Sequence, residues 1–373
     1  MSAVVSKTTR DETLSEWFAD VSAAPDDTLP ALHPFRTRAW AWAWTRQNTE
    51  RILEHRHLTV TDHDTGVRET ISFLLVPGDG SPYWNSQESD AGVAPVWPGP
   101  VLWAGSPHAE YGGAGTATPA ITRVLLGAGR ELAHETGACA LAMPGLRAEQ
   151  AARVAEAGGA EVLSLPTDVS FTRYLGTSHD AWWAAIPAAY RREARRQWRR
   201  GSEEGLTLQV HHGPDARPAL RETFHALAEQ TAKRHGSPLY GDDMFHHLAD
   251  VPGAVLLSAH NDDQFVGGIF GWLHQRGLYL WASGIDYDHP LAPRSYTWLM
   301  GEVARWAINH GATHIDAGRW NCRAKTRLGY KPHVLHTAVH LMKPDPGTAQ
   351  RLKHLSGRLG DHAAPFLGPS LRW

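Results

Sequence analysis

Behind a short apolar run, His314-Ile315-Asp316, the sequence sets Asp316, Arg319, Asn321 and Lys325 within ten positions of one another. Side chains of these types can orient a carboxylated or phosphorylated substrate and stabilise the charge that grows on an ester carbonyl under attack. Acyl transfer from an ester to an amine needs a neutral amine, an oxyanion stabiliser and a route for one proton; it needs neither a metal nor a covalent intermediate. Asp286, Asp316, His235 and Glu110 are the candidates for handling that proton. The competing reading is structural, with Asp316 capping the next turn and Arg319 as its ion-pair partner.

The elements around the cluster argue for the chemical reading. Residues 278–282 form an apolar strand, a Gly/Asp/His/Pro loop follows through Asp286, and a helix opens near Pro293-Arg294-Ser295 and stops at Gly311. The polar cluster then lies just beyond the C-terminal end of the next strand, where open sheets place their chemistry. A weaker copy occurs in the first half. Val101-Leu102-Trp103-Ala104-Gly105-Ser106 matches Tyr279-Leu280-Trp281-Ala282-Ser283-Gly284, and residues 134–142 match 308–316. Both matches lie roughly 175 residues apart with a helix between them, which reads as a tandem duplication.

The rest of the chain falls into place around these copies. Strands are predicted over 57–61, 70–76, 101–104, 139–143 and 161–165, helices over 35–48, 118–135 and 149–157, and an irregular region over 81–100. The second half runs through a short helix capped by Ser178, helices over 188–204 and 216–234, and a hairpin over 255–274 that repeats 57–76. The helix over 188–204 stacks Arg191, Arg195 and Arg199 on one i, i+4 row and Arg192, Arg196 and Arg200 on the next. Like charges one turn apart repel by about 0.2–0.5 kcal/mol per pair. Guanidinium forks suit phosphate, so this row reads as a landing strip for an RNA acceptor stem or another polyanion. A solvated face paired with acids is the plain alternative.

Composition bounds these readings. A chain of 373 residues can bury two cores, and contents of 42% hydrophobic and 20% charged residues place it among globular proteins. No run of 18 apolar residues exists, and residues 1–10 lack the apolar core of a signal peptide, so a cytoplasmic protein without a membrane span is expected. A net charge of −3 excludes a global attraction to nucleic acid and leaves only local clusters. Cys139 and Cys322 make no disulfide framework, and no histidine pair has metal-ligand spacing with a carboxylate between, so no metal is expected.

The order helices, antiparallel strands, strand, helix, strand resembles the GNAT acyltransferase fold. Two such units, with Tyr111-Gly112-Gly113 in the first and Asp316-x-Gly318-Arg319…Lys325-x-x-Leu328-Gly329 in the second, resemble the Fem-type aminoacyl-tRNA-dependent transferases over residues 35–342. The segment 234–239, beginning Arg234-His235-Gly236, and the basic run 190–200 also occupy positions typical of that group. The resemblance implies most for Lys325. It also implies substrate contacts from Glu110, Tyr111, Gly112, Gly113, Arg234, His235, Tyr240, Arg319, Trp320 and Asn321, catalysis by Asp316, Lys325 and Asp286, and tRNA contacts from the six arginines.

Acetyl-CoA-dependent GNAT proteins cradle a pyrophosphate on backbone N–H groups at a helix start. In the second half that place reads Pro290-Leu291-Ala292-Pro293-Arg294-Ser295, where two prolines remove donors and no glycine permits close approach. In the first half Glu110-Tyr111-Gly112-Gly113-Ala114-Gly115 is a near match, but its leading carboxylate repels a pyrophosphate, which favours a substrate loop. Structural turn glycines are the plain alternative.

The expectation is therefore an α/β chain of two tandem GNAT-like domains, each a mixed, mostly antiparallel sheet flanked by helices. The domains span 31–168 and 169–344, after a mobile segment 1–30 and before a tail 345–373. The activity expected is transfer of an aminoacyl group from aminoacyl-tRNA, as co-substrate and without a cofactor, to an amine of a cell-wall precursor or secondary metabolite. Acyl-CoA as donor and a non-catalytic nucleic-acid- or partner-binding role are the alternatives.

Overall fold

The computed structural model describes residues 17–22, 33–62, 68–111, 118–234, 239–241, 243–319, 321–367 and 373. In chain order the first half contributes β1 (Trp17–Ser22), α1 (Arg38–Trp44), β2 (Glu54–Asp62), β3 (Arg68–Val76), α2 (Pro82–Ala91), β4 (Val101–Ala104), α3 (Pro119–Glu135), β5 (Ala140–Arg147), α4 (Ala148–Gly158) and β6 (Val162–Tyr174). Then come α5 (His179–Ala184), α6 (Ala188–Glu203), β7 (Leu206–His212), α7 (Arg217–Ala219), a π turn (Leu220–Phe224), α8 (His225–Arg234), α9 (Met244–Leu248), β8 (Ala254–Asn261), β9 (Gln264–His274), β10 (Gly277–Ile285), α10 (Ala292–Asn309), β11 (His314–Asp316) and α11 (Cys322–Arg327). The chain closes with β12 (Lys331–Leu341) and α12 (Pro346–Ala363). Among the described residues no helix is long and apolar enough to cross a membrane.

Two compact units result. The first holds Met1–Thr45, Glu50–Asp168 and Val334–Trp373; the second holds Arg46–Thr49 and Val169–His333. In the first unit, β1, β2, β3 and β4 pair antiparallel in turn, β4 pairs parallel with β5, and β5 pairs antiparallel with β12. In the second, β7, β8, β9 and β10 pair antiparallel in turn, β10 pairs parallel with β11, and β11 pairs antiparallel with β6. The two pairing sequences are identical, as a duplication requires. The sixth strand of each unit, however, comes from the other half of the sequence.

The core of the first unit follows from periodicity. Leu58 and Val60 of β2 and Ile71, Phe73 and Leu75 of β3 alternate inward, and α3 lays Ile121, Leu125, Leu126, Leu132 and Ala133 on them. Each of the larger of these side chains contributes about 1.5–3 kcal/mol by leaving water. Thr118 starts α3 by accepting from Ile121 N–H at 3.2 Å. In the second unit α10 packs across the sheet, with Trp298, Leu299, Met300, Val303, Ala304 and Ala307 buried.

Several sequence expectations need correction. Trp17–Ser22, placed in a mobile segment, is a strand paired along its length with β2. The region 81–100 contains α2, which opens on Pro82 at a position that lacks a need for the N–H. β6 runs from Val162 to Tyr174 across the expected boundary at 168/169, which is also where the two units divide. Residues 346–363 form a helix whose Leu352 and Leu355 are buried, and they fold with the first unit. β7 and β12 carried no signal strong enough to be read.

His57 of β2 yields a pH dependence. Its ring is buried, Nδ1 lies 2.8 Å from Ser72 Oγ, and Nε2 has no hydrogen-bond partner among the described residues. Burial, helped by His55 and Arg38, pushes its pKa from 6.5 down to about 4. The unfolded chain therefore binds the proton first, and stability falls as pH drops from 6.5 to 4, by about 3 kcal/mol in all. Urea midpoints measured from pH 7 to pH 4 are expected to fall less steeply for His57→Gln. Parallel curves for the two proteins would refute this origin.

Candidate active site

In the second unit β10 pairs with β9 along its whole length, but with β11 only from Gly277 to Tyr279, opposite His314 to Asp316. Beyond that point the two parallel strands part. The chain after β11 stays with β6, where Ala317 N–H donates to Phe171 O (2.8 Å) and Phe171 N–H to Gly318 O (3.1 Å). A bulge at Leu280–Ala282 re-aims β10 at the same level.

The turn at this opening is held from three directions. Asp316, 3% exposed, accepts from Gly318 N–H at 3.0 Å, and Gly318 takes φ +67°, which suits glycine. Lys325 of α11, 4% exposed, turns back so that Nζ donates to Gly318 O at 3.1 Å and to Arg319 O, with the Phe171 ring 5.6 Å away. Asn321 sits at the start of α11 with φ +49°, the left-handed region where Asn is tolerated. Its side chain makes no capping bond to the helix it precedes.

Beneath the turn lies a tyrosine. Tyr330 is 2% exposed and its N–H donates to Lys325 O at 3.0 Å, while its hydroxyl has no hydrogen-bond partner among the described residues. Burial raises the pKa of this phenol and of Tyr296 on α10; Asn321 opposes this for Tyr296 and Arg173 for Tyr330, while Tyr287 adds to it for Tyr296, and Tyr296 and Asp316 for Tyr330. Both stay protonated at neutral pH. Arg173 of β6, also buried, donates to Leu328 O and Trp182 O and lies 4.3 Å over the Trp182 ring. Desolvation pulls its pKa from 12.5 to about 10.

The structure thus brings Asp316, Lys325, Arg319 and Asn321 onto one turn, and adds Tyr296, Tyr330 and Arg173, which sequence reading missed. A lone tyrosine has no spacing to betray it, although Tyr330 directly follows Leu328-Gly329 of the motif already singled out. Asp286 sits at the end of β10, where its carboxylate accepts from Asp288 N–H at 3.1 Å and so shapes its own loop. Arg234 is exposed and lies 4.3 Å over the Tyr287 ring. Tyr240 packs on Phe245 and on Trp281 of β10, at 5.2 and 5.6 Å between ring centroids.

Glu110 and Tyr111 belong to the first unit and are buried. The Tyr111 hydroxyl accepts from Arg147 Nη2 at 2.6 Å, and the guanidinium lies 4.9 Å over the ring. The loop they sit on is anchored by Ser106, whose hydroxyl donates to the buried Glu50 at 2.8 Å; Trp44 Nε1 and Ser81 donate to the same carboxylate. Gly112, Gly113, His235 and Trp320 lie outside the described residues. No cluster of His, Cys, Asp and Glu that could hold a metal occurs among the described residues.

The six arginines of α6 divide. Arg192, Arg195, Arg196, Arg199 and Arg200 are exposed, but Arg196 is forked onto Glu193 at 2.7 and 2.8 Å. Arg199 lies 3.8 Å from Glu203. Arg191 departs from the expected row: it turns back and donates to Ile186 O at 2.9 and 3.1 Å, closing the end of α5. The opposite face of α6 is fixed to α10 by Trp198 Nε1 donating to Glu302 (2.8 Å) and Trp298 Nε1 donating to Ser202 (2.9 Å). Gly201 allows the approach, since a Cβ there would meet Trp298 at 2.7 Å.

Comparison with known proteins agrees with this architecture. Residues 188–331 match the family model of the acetyltransferase (GNAT) domain. The crystal structure of FemX superposes with a TM-score of 0.59 at 11% identity, covering 83% of this chain and 93% of FemX. A conserved protein of unknown function from Bacteroides thetaiotaomicron gives a TM-score of 0.52 at 9% identity, covering 81% and 89% of the two chains. No curated protein sequence matches. Residues 188–331 thus carry the match to the acetyltransferase (GNAT) domain, and the chain has the fold seen in FemX.

Proposed function

We propose that the protein transfers an aminoacyl group from aminoacyl-tRNA to the amine of a small or peptidyl acceptor, such as a cell-wall precursor or a secondary metabolite. The observation that carries this reading is the outward arginine face of α6, with Arg192, Arg195, Arg199 and Arg200 exposed on a helix locked to α10 of the acyltransferase unit. A donor with a phosphate backbone is what such a face attracts.

The start of α10 supports the same donor. Leu291 N–H donates to His289 Nδ1, Ala292 N–H to His289 O, and both Arg294 and Ser295 N–H to Leu291 O, all between 2.9 and 3.2 Å, while Pro293 has no N–H. A diphosphate could reach these donors only by opening the turn. An ester on the terminal ribose of tRNA brings the acyl group without a diphosphate and without a cofactor, and it places the reaction in the cytoplasm. The acceptor amine forms the new C–N bond, the ester C–O bond breaks, and the proton released by the amine ends on the ribose hydroxyl.

Binding of total aminoacylated tRNA and of acetyl-CoA, measured side by side at two salt concentrations, tests the reading. Salt-dependent tRNA binding is expected, weakened about 10- to 100-fold in a variant with Arg192, Arg195, Arg199 and Arg200 all changed to Ala. The slope of log affinity against log salt should shrink by about 0.9 for each phosphate that the variant no longer neutralises. Saturable acetyl-CoA binding without tRNA binding would overturn the proposal.

A further inference from the structure

We infer that Tyr190, flanked by Arg327, is a stacking platform for a base in the unpaired acceptor end of the donor RNA, on the way from the arginines of α6 to the turn at Asp316–Lys325. The inference rests on aminoacyl-tRNA as the donor, and it gives a role to two exposed side chains that neither the arginine row nor the turn includes.

An exposed tyrosine is ordinary by itself. The surroundings of this one are not. Tyr190 lies in the first turn of α6 and is 41% exposed, and the Arg327 guanidinium sits 5.6 Å from its ring centroid. Arg327 is exposed as well, and among the described residues it makes no ion pair and no hydrogen bond. The acid one turn along the helix, Glu193, is already held by Arg196 and Gln197. An aromatic ring and an unpaired guanidinium therefore stand together at the surface.

The backbone fixes where they stand. Arg327 is the last residue of α11, two positions beyond Lys325, whose ammonium holds the turn at Gly318 and Arg319. Gly329, at φ +81°, brings the chain after α11 against Pro187 at the head of α6; a Cβ there would lie 3.3 Å from Pro187 Cδ. The head of α6 is thus the end that meets α11 and the turn. Tyr190 is on that end, while Arg192, Arg195, Arg199 and Arg200 run away from it along the rest of the helix.

Paired RNA offers such a helix only phosphates, because its bases are stacked on one another. Unpaired nucleotides add an open base face, which proteins take by stacking it on an aromatic ring beside a guanidinium. An aminoacyl-tRNA has both parts, a paired stem and an unpaired end that carries the ester. With the stem on the arginines, the unpaired end crosses the head of α6 before the ester reaches the turn, and Tyr190 with Arg327 is what it meets there. The platform breaks no bond; it positions the ester.

Binding of total uncharged tRNA, intact or trimmed of its unpaired acceptor-end nucleotides, is measured at two salt concentrations for the wild type, Tyr190→Ala, Tyr190→Trp and Arg327→Ala. Tyr190→Ala is expected to weaken binding of the intact RNA about 10-fold without changing the salt slope, and to bind the trimmed RNA as the wild type does. Tyr190→Trp should keep the affinity. Arg327→Ala should shrink the slope by about 0.7, the value for one phosphate of a single strand, again with the intact RNA only. Tyr174→Ala removes a tyrosine that is 81% exposed but sits opposite His314, where β11 begins, and it is expected to bind both RNAs normally. Unchanged affinity in Tyr190→Ala, or equal losses for both RNAs as a loosened helix would give, overturns the inference and leaves the tRNA reading standing. A wild type that binds neither RNA overturns both.

Discussion

Lys325→Met is expected to destroy acyl transfer, lowering kcat/KM by roughly a thousandfold or more, and to destabilise the second unit by about 3 kcal/mol. The buried ammonium donates to two successive carbonyls, those of Gly318 and Arg319. Methionine matches its length and not its donors, so Gly318 O keeps only the Phe171 N–H and Arg319 O loses the ammonium. The turn that presents Arg319 and Asn321 then has only the Asp316 carboxylate and the backbone bonds to Phe171 to shape it. Lys325→Arg is not expected to rescue the loss, because a planar fork cannot occupy the site of a compact ammonium. Urea unfolding together with steady-state transfer assays checks both effects. A Lys325→Met protein with wild-type midpoint and activity would show that the turn forms without it.

Arg173→Leu should be the other severe change, destabilising the second unit by about 3–4 kcal/mol. Its guanidinium is 5% exposed and joins Trp182 O in the last turn of α5 to Leu328 O at the end of α11. Helix C-termini carry partial negative charge, so two of them facing one cation offset part of the desolvation that draws its pKa to about 10. Leucine leaves both carbonyls unpaired and empties the space over the Trp182 ring. Arg173→Lys should retain less than half of the stability that leucine forfeits, since one point donor does not bridge both helix ends. An unchanged urea midpoint for Arg173→Leu would remove the bridge from the account of this unit.

What could be read from the sequence was whatever is local. The duplicated strand, helix and strand were visible because Trp103-Ala104-Gly105 and Trp281-Ala282-Ser283 recur with a glycine stop after each helix. The turn chemistry around Asp316 and Lys325 was visible because its polar residues are adjacent in sequence. Of the sixth strands only 161–165 was read, and the pairing of neither was, since β6 and β12 each find their partner in the other half, and no periodicity announces a distant partner. Tyr296 and Tyr330 were missed for the same reason: their meaning comes from Asn321, Asp316 and Arg173 meeting them in space. The bond from Arg191 to Ile186 O was not visible either, because helical spacing alone does not reveal a nearby carbonyl.

During synthesis the apolar edge of β5 has no strand to cover it until Leu341 has emerged, because Arg147 pairs with Leu335 and Ala140 with Leu341. At about 5–20 residues per second the intervening stretch takes on the order of 10 to 40 s to make. For that interval the first half is a nascent domain with an open sheet edge, a surface that recruits chaperones or aggregates. The second half meets no such delay, since β6 has already been made when β11 appears. The order in which the two units mature is therefore the reverse of the order in which most of their residues are translated.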